Sequence, residues 1–370
     1  MSPSTRPAMN LLALVRNPAT QVVVTCGSGG VGKTTTAAAM AVAAADAGRK
    51  VAVLTIDPAR RLAQSLGLEE LDNTPRLVQR DGPGELYAMM LDTSRTFDDM
   101  VAAHSTPERA AQIYANPFYR TISTSFAGTQ EYMAMEKLGQ LAAGGEYELI
   151  VVDTPPSRSA LDFLDAPQRL SSFLDGRMIR LLVAPGRGVM KIVGAGLTLF
   201  TKAVQTIIGG QMLADAAQFA QLFEGMFGGF RERAQQTYEL LRRPGTAFVV
   251  VATCEPDALR EASYFADRLR EEHMPLAGVV LNRTHPTLVD LPEAATMDAL
   301  GEIGSSAPLA AGVLRVHADR LRLRAAEVRL RSRLVRAHPD LKVLEVPALA
   351  TDAHDLRALR EIAGHLGRPS

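Results

Sequence analysis

The stretch that decides the fold reads CGSGGVGKTT at residues 26–35. From Gly27 to Thr34 it fits the pattern G-x-x-x-x-G-K-[ST] of a nucleotide phosphate loop. The apolar run QVVVT directly before it predicts a strand, and the alanine-rich TTTAAAMAVAAADA that overlaps its end predicts a helix. Because a phosphate loop joins a strand to a helix, this context favours a nucleotide site over a chance glycine turn.

Each part of the loop has an expected task toward a bound nucleotide. The glycines let successive backbone N–H groups converge on the phosphates, and the helix N-terminus adds the positive end of its dipole. Lys33 is expected to place a charge against the β- and γ-phosphates, and the Thr34 hydroxyl is expected to bind Mg²⁺. The residues predicted to contact the nucleotide are Gly27, Ser28, Gly29, Gly30, Val31, Gly32, Lys33, Thr34 and Thr35.

Two carboxylates follow other predicted strands. Asp153 ends ELIVVD, and we expect it to hold a magnesium-bound water because ligands bind at the carboxyl ends of parallel strands; the simpler interpretation is a strand terminator. Asp57 ends VAVLTI, where a carboxylate can orient and deprotonate an attacking water. Asp57 is also a plausible N-cap for the helix that begins PARRLAQSLG. Lys33 and Asp57 are therefore the predicted catalytic pair.

Short β-branched runs separated by helical patterns predict an α/β fold with a doubly wound, mainly parallel sheet of about seven to eight strands. The runs lie at 21–25, 51–56, 86–91, 149–154, 247–253, 277–282 and 342–346. Two gaps are too long for single crossover helices, so inserts at approximately 94–140 and 166–238 are expected to form a helical subdomain. Residues 1–370 would then be one domain with a single phosphate loop.

Composition argues against several partners. The 40 basic and 40 acidic residues cancel, so no global field attracts nucleic acid or an anionic membrane. The arginine-rich pattern over 285–340 lacks interleaved aromatic residues and predicts a solvated helix face. Two lysines interrupt the apolar segment 189–210, and no secretory signal is recognisable, so we predict no transmembrane segment and a cytoplasmic location.

Taken in order, the motifs resemble the arsenite-pump ATPase family, which includes the ATPases that escort tail-anchored membrane proteins. They are GSGGVGKTT at 27–35, DPA at 57–59, GTQE at 128–131 and DTPPSRSALDFL at 153–164. The resemblance covers most of the chain and is weakest over 285–340. It implies a dimeric ATPase that uses ATP and Mg²⁺, with Asp57 activating the water. It also implies that Asn282 reads the adenine, although a turn residue at a strand end is the alternative.

The chain departs from the family pattern at position 28. The family's signature lysine reaches across the dimer to the partner's nucleotide, but this chain has Ser28. Either a homodimer uses an arginine such as Arg60 or Arg158 instead, or a paralogous subunit in a heterodimer carries the lysine. The two cysteines, Cys26 and Cys254, form no CxxC, so arsenite or zinc binding by the family's thiolates is unsupported.

Residues 178–230 are rich in Met, Gly, Leu and Phe, and 189–210 has one polar stripe opposite a broad apolar face. The resemblance implies that this insert grips a hydrophobic client or a membrane partner; buried core or a dimer interface is the alternative. Methionines in both inserts would supply an adaptable binding surface: Met89, Met90, Met133, Met135, Met190, Met212 and Met226. The main hypothesis is an ATPase whose nucleotide state opens and closes the helical subdomain. The alternatives are a transporter's energy subunit and a partition ATPase.

Overall fold

The structure is a computed structural model that describes residues 9–79, 82–125, 129–155, 215, 218–219, 221–223, 226–303 and 306–367. Its strands are β1 Val22–Cys26, β2 Lys50–Thr55, β3 Arg76–Gln79, β4 Glu85–Met90, β5 Leu149–Asp153, β6 Thr246–Thr253, β7 Leu276–Thr284 and β8 Val343–Pro347. The helices in the described ranges are α1 Leu11–Arg16, α2 Lys33–Asp46, α3 Arg61–Ser65, α4 Thr93–His104, α5 Pro107–Ala115, α6 Pro117–Ser125, α7 Thr129–Gly144, α8 Phe227–Arg242, α9 Pro256–Glu271, α10 Glu293–Ile303, α11 Pro308–Ala337 and α12 Leu356–Leu366.

The strands form one sheet of eight in the order β3-β4-β2-β5-β1-β6-β7-β8. All neighbours are parallel except β3, which runs antiparallel to β4. The predicted α/β class is confirmed, and each of the seven predicted strands is found within about two residues of its expected ends. Sequence patterning missed β3, because this short, partly exposed edge strand has only two apolar residues, Leu77 and Val78.

The strand order places a crevice at the carboxyl end of β1. Strands β5 and β2 lie between β1 and one edge of the sheet, in the direction of β3. Strand β6 pairs with β1 on the opposite flank, in the direction of β8. Thr25, Asp153 and Thr55 lie side by side at the ends of β1, β5 and β2. Such reversals in strand order are where open α/β sheets bind ligands, so the topology brings the predicted Asp153 and two threonines to one edge.

Helix α2, which begins at the phosphate loop, is almost entirely buried. It contacts the sheet as well as α1 and α12, so most of its length is covered by other elements. Nine of its fourteen residues from Ala37 to Ala45 are apolar and small or slender, which allows this close approach from several sides. The helix that presents its N-terminus to the site is thus rigidly held by the core.

The described parts of the two inserts pack together beside the sheet, and we call helices α4–α8 the helical layer. Its interior is an aromatic cluster in which the ring centroids of Phe219 and Phe223 are 4.4 Å apart. Other rings of the cluster are Phe97, Tyr119, Tyr132 and Phe230. The interpretation of the methionines as an adaptable surface is wrong for Met89, Met133, Met135 and Met226, which are buried in the core. They fill internal gaps instead.

Several predicted features lie outside the described residues. They include the apolar segment 189–210, the switch residues 157–159, and the methionines at 190 and 212. Within the described ranges, no helix is both long and apolar enough to cross a membrane.

Helix α11 confirms the predicted long arginine-rich helix but corrects its environment. It is 30 residues long, and Arg324 is not simply solvated, because its Nη1 lies 2.6 Å from Oε2 of Glu345 on β8. The first half of the helix instead exposes apolar side chains, namely Leu309, Val313 and Val316. The sequence prediction of one solvated charged face therefore holds only for part of α11.

Arg49 is a buried cation that joins the N-terminal segment to the sheet. Its Nη1 donates to the carbonyl oxygens of Val15 at 2.7 Å and Asn17 at 3.1 Å. Its Nη2 donates to Thr20 at 2.7 Å and Glu148 at 2.5 Å. One guanidinium thus satisfies four backbone acceptors from the segments that lead into β1 and β5, in a region where water has little access.

We expect Arg49→Met to lower the free energy of unfolding by about 3 kcal/mol, because four carbonyl groups would lose a charged donor. Urea unfolding followed by circular dichroism measures this loss. The matched control is Arg357→Met on the exposed side of α12, which should change stability by less than about 0.5 kcal/mol. Equal losses in the free energy of unfolding for the two substitutions would contradict the inference that Arg49 stabilises the fold by joining the N-terminal segment to the sheet.

Candidate functional site

The phosphate loop connects β1 to the first residue of α2. Gly32 adopts φ +95° directly before the helix, a left-handed conformation that favours glycine. A Cβ on Gly27 would lie 2.1 Å from the carbonyl oxygen of Val251 on β6, so the loop approaches β6 as closely as glycine allows. Lys33 is buried, and its Nζ donates to the Ser28 carbonyl oxygen at 2.8 Å. The ammonium is therefore held against the loop in which a phosphate is expected.

Asp153 is the centre of a buried polar cluster beside the loop. Its Oδ2 accepts hydrogen bonds from the Thr34 hydroxyl at 2.8 Å and the Thr55 hydroxyl at 2.9 Å. Its Oδ1 is buried and has no hydrogen-bond partner in the part of the chain that the structure describes. Thr55 was missed by sequence reasoning; its only signal was a hydroxyl near the end of the strand that leads to Asp57. The unpartnered oxygen marks a place for a donor that is not part of the described chain.

Burial sets the protonation behaviour of the two buried charges. Burial raises the pKa of Asp153 to about 6, although hydrogen bonds from Thr34 and Thr55 and the charge of Lys33 act in the opposite direction. Burial also lowers the pKa of Lys33, and the nearby carboxylates of Asp153 and Asp57 oppose this shift. Asp153 and Lys33 thus each favour the charged form of the other. A bound phosphate group and its cation would change the electrostatic environment of both side chains.

Asp57 lies at the same edge and is buried. Its Oδ1 accepts from the Ala59 backbone N–H at 2.9 Å, and its Oδ2 lies 3.3 Å from Nη1 of Arg61. The prediction that Asp57 is a helix N-cap is wrong, because α3 begins only at Arg61. Instead, the Asp57 carboxylate accepts a hydrogen bond from the backbone N–H two residues later and so stabilises a tight turn at Pro58 and Ala59, which precedes the helix.

A side chain of the helical layer reaches this turn. Gln130, near the start of α7, donates from Nε2 to the carbonyl oxygen of Ile56 at 2.8 Å. Ile56 directly precedes Asp57 in the chain. The sequence motif GTQE therefore contributes a direct contact between the helical layer and the segment that carries the candidate base.

Asn282 approaches the loop from the other side. Its Nδ2 donates to the Val31 carbonyl oxygen at 2.9 Å, and a Cβ on Gly32 would lie 2.2 Å from the same nitrogen. Behind it, the His285 ring Nδ1 lies 2.7 Å from Oε1 of buried Glu327 on α11, which fixes the segment that leaves β7. Asn282 is thus brought to the phosphate loop, while its adenine-reading role stays a prediction.

If Asn282 reads adenine, Asn282→Ala should weaken ATP binding about fivefold and reduce the preference for ATP over GTP, since one hydrogen bond to the base, worth about 1 kcal/mol, is lost. Calorimetric titration with ATP, GTP and tripolyphosphate separates the two possible effects. Tripolyphosphate has no base, so its affinity should stay within about twofold of the wild-type value. Equal weakening for ATP and tripolyphosphate would show that Asn282 acts only by supporting the loop.

The cysteines are poorly suited to thiolate chemistry. Burial raises the pKa of Cys26 and that of Cys254 to about 12 each, so both remain thiols at neutral pH. Among the described residues there is no group of three or more His, Cys, Asp or Glu side chains that could hold a metal ion.

The combination of fold and loop defines a class of protein. A doubly wound sheet with a glycine-rich loop between its central strand and a helix, and a carboxylate at the end of the neighbouring strand, is the arrangement of phosphate-loop nucleotide hydrolases. A sequence model of the family described as "Anion-transporting ATPase" matches residues 20–295, roughly three quarters of the chain. The chain belongs to this family, whose members hydrolyse ATP. The resemblance drawn from the four motifs is thereby confirmed.

Similar proteins from eukaryotes carry ATPase names. "ATPase GET3" of Malassezia globosa is 26% identical over 257 residues, which cover 70% of each chain. "ATPase ASNA1 homolog" of Babesia bovis is 25% identical over 271 residues, covering 73% of this chain and 68% of the relative. "ATPase get3" of Aspergillus terreus is 29% identical over 188 residues, covering 50% and 54%. The family match over residues 20–295 contains β1 to β7 and the phosphate loop.

Proposed function

We propose that this ATPase is a Mg²⁺-dependent dimer in which ATP binding and hydrolysis open and close the helical layer around a hydrophobic client or a membrane-protein partner. The observation that carries this proposal is the hydrogen bond from Gln130 to the Ile56 carbonyl oxygen. It joins the helical layer to the residue before Asp57, so a movement of the Asp57 segment on nucleotide binding would be felt by α7.

The residues at the end of β5 fit a magnesium ion. Asp153 offers a buried oxygen without a hydrogen-bond partner in the described chain, and the Thr34 hydroxyl lies beside it. Oxygen ligands of this kind are those that Mg²⁺ prefers. We infer that Thr34 binds the ion directly and that Asp153 holds it through water. When bound, the ion would neutralise charge on the β- and γ-phosphates.

The chain's own groups divide the remaining work. The loop N–H groups and Lys33 bind the phosphates, which places the γ-phosphate at the edge shared by β1, β5 and β2. Asp57 lies at that edge as a buried carboxylate with its orientation fixed by Ala59. It can accept a proton from a water aligned with the leaving group. We assign it the role of general base.

A client is proposed on a different basis. The family resemblance and the apolar composition of 178–230 support a hydrophobic binding surface, whereas 156–214 lie outside the described residues. Phe219 and Phe223, the described aromatic residues of this segment, are buried in the aromatic cluster of the helical layer. A cytoplasmic location stays a prediction from the sequence.

Dimerisation is supported by the family resemblance together with the single phosphate loop of this sequence. The family's nucleotide sites face each other across two copies, so a second site must come from another chain. The mass of the purified protein in solution distinguishes an identical chain from a paralogue. If the mass doubles when Mg·ATP is added to the purified protein alone, the dimer is a homodimer.

Hydrogen exchange tests the proposed coupling. The wild-type protein is compared without nucleotide, with Mg·ADP and with a non-hydrolysable Mg·ATP analogue, and exchange is followed over α7 and residues 178–230. Gln130→Ala should retain nucleotide binding but lose most of the nucleotide-dependent change in these segments, because the bond to Ile56 is absent. Gln140→Ala, farther along α7, is the matched control. If Gln130→Ala and the wild type respond alike, coupling through this contact is excluded.

A further inference from the structure

Arg61 is the cation that contacts the candidate base. Its Nη1 lies 3.3 Å from Oδ2 of Asp57, four residues earlier in the chain. The Arg61 side chain is 55% exposed, whereas that of Asp57 is 8% exposed. The guanidinium thus sits at the mouth of the site and covers one oxygen of a carboxylate that lies inside it.

The neighbouring arginine does not share this position. Arg60 is exposed and forms no ion pair within the described ranges, although it is one of the two arginines expected from the sequence to replace the missing lysine. The other named arginine, at position 158, lies outside the described residues. The sequence could not separate Arg60 from Arg61, because only the start of α3 decides which side chain turns back toward Asp57.

Arg61 lies where negative charge is concentrated. The buried edge holds Asp57 and Asp153 against the single ammonium of Lys33, and Ser28 adds no charge. An incoming γ-phosphate brings further negative charge toward Asp57. Arg61 pairs with Asp57 at this edge and so offsets part of that negative charge.

We propose that Arg61 is a positioning residue for hydrolysis, which holds the Asp57 carboxylate oriented toward the site. Oδ1 of Asp57 accepts a hydrogen bond from the Ala59 N–H and Oδ2 accepts one from Arg61, so each carboxylate oxygen has a donor that restricts rotation of the side chain. Because a planar guanidinium holds a carboxylate in a defined geometry, arginine suits this task better than lysine. The inference rests on the proposed role of Asp57.

A double-mutant cycle tests the proposal. Arg61→Ala should lower kcat about 30-fold, whereas the Kd for Mg·ADP, measured by calorimetry, should change less than about threefold. In an Asp57→Asn background, the same substitution should lower kcat less than about twofold, because Arg61 acts through Asp57. Guanidinium ions at millimolar concentration should partly restore the kcat of Arg61→Ala. The kcat of Arg61→Lys should lie between that of Arg61→Ala and that of the wild type.

Arg60→Ala provides the charge-matched comparison, with an expected loss of kcat below about threefold. Equal losses for Arg60→Ala and Arg61→Ala would overturn the proposal, as would an undiminished 30-fold loss in the Asp57→Asn background. A parallel readout is amide exchange at Ala59, whose N–H is bonded to Asp57; it should speed up in Arg61→Ala and stay unchanged in Arg60→Ala. If wild-type protein binds Mg·ATP without hydrolysing it, the assignment of Asp57 fails first, and this outcome is distinct from a failure of Arg61 alone.

Discussion

Asp57→Asn is expected to lower kcat by about a thousandfold while leaving nucleotide affinity within about threefold, because removal of a general base costs a factor of 10² to 10⁴. The amide has nearly the shape of the carboxylate and can still accept the Ala59 N–H bond, so the turn should persist. It cannot accept a proton from water, which removes the chemical step alone. Phosphate release at saturating Mg·ATP gives kcat, and calorimetry with Mg·ADP gives the affinity.

The control for this prediction is Asp352→Asn, an exposed carboxylate in the loop before α12. Its turnover should equal that of the wild type. A turnover of Asp57→Asn within about threefold of the wild-type value would assign proton transfer to another group and leave Asp57 as a turn residue. A loss of affinity equal to the loss of turnover would instead show that Asp57 supports the binding loop.

Lys33→Ala is expected to weaken Mg·ATP binding about a hundredfold, since charged hydrogen bonds contribute about 1.5–3 kcal/mol each. Lys33 is buried, so water cannot replace its ammonium. Its removal also leaves the carboxylates of Asp57 and Asp153 to repel the phosphates, with no other buried cation beside them in the described part of the chain. Calorimetry with a non-hydrolysable ATP analogue measures the change.

The matched control is Lys342→Ala, an exposed lysine just before β8, which should bind the analogue with wild-type affinity. The fold of Lys33→Ala is checked by its thermal unfolding temperature, since loss of the Ser28 bond could loosen the loop. Binding by Lys33→Ala within about threefold of the wild type, with an intact fold, would contradict the phosphate role of this residue.

Local sequence was sufficient for features that depend on neighbouring residues. Gly27 to Thr34 predicts its own loop, because glycines, lysine and threonine at fixed spacing are needed wherever such a loop forms. The seven predicted strands were also accessible from local sequence, most clearly β1, β5 and β6, which are buried along their whole length and therefore form continuous apolar runs. The failures came at β3, where pairing with β4 compensates for a weak local pattern, and at the start of α3.

The sequence by itself determined the fold class, the phosphate loop, the family and the identities of Lys33, Asp57 and Asp153 as candidates. Only the tertiary structure decided which groups meet them. Thr55 reaches Asp153 across 98 residues of chain, and Gln130 reaches Ile56 across 74, because sheet order and helix packing bring distant segments together. Arg61 rather than Arg60 pairs with Asp57, since the direction of a side chain depends on where the helix begins. The local sequence pattern determines which chemical groups the site contains, whereas tertiary packing determines which distant residues those groups contact.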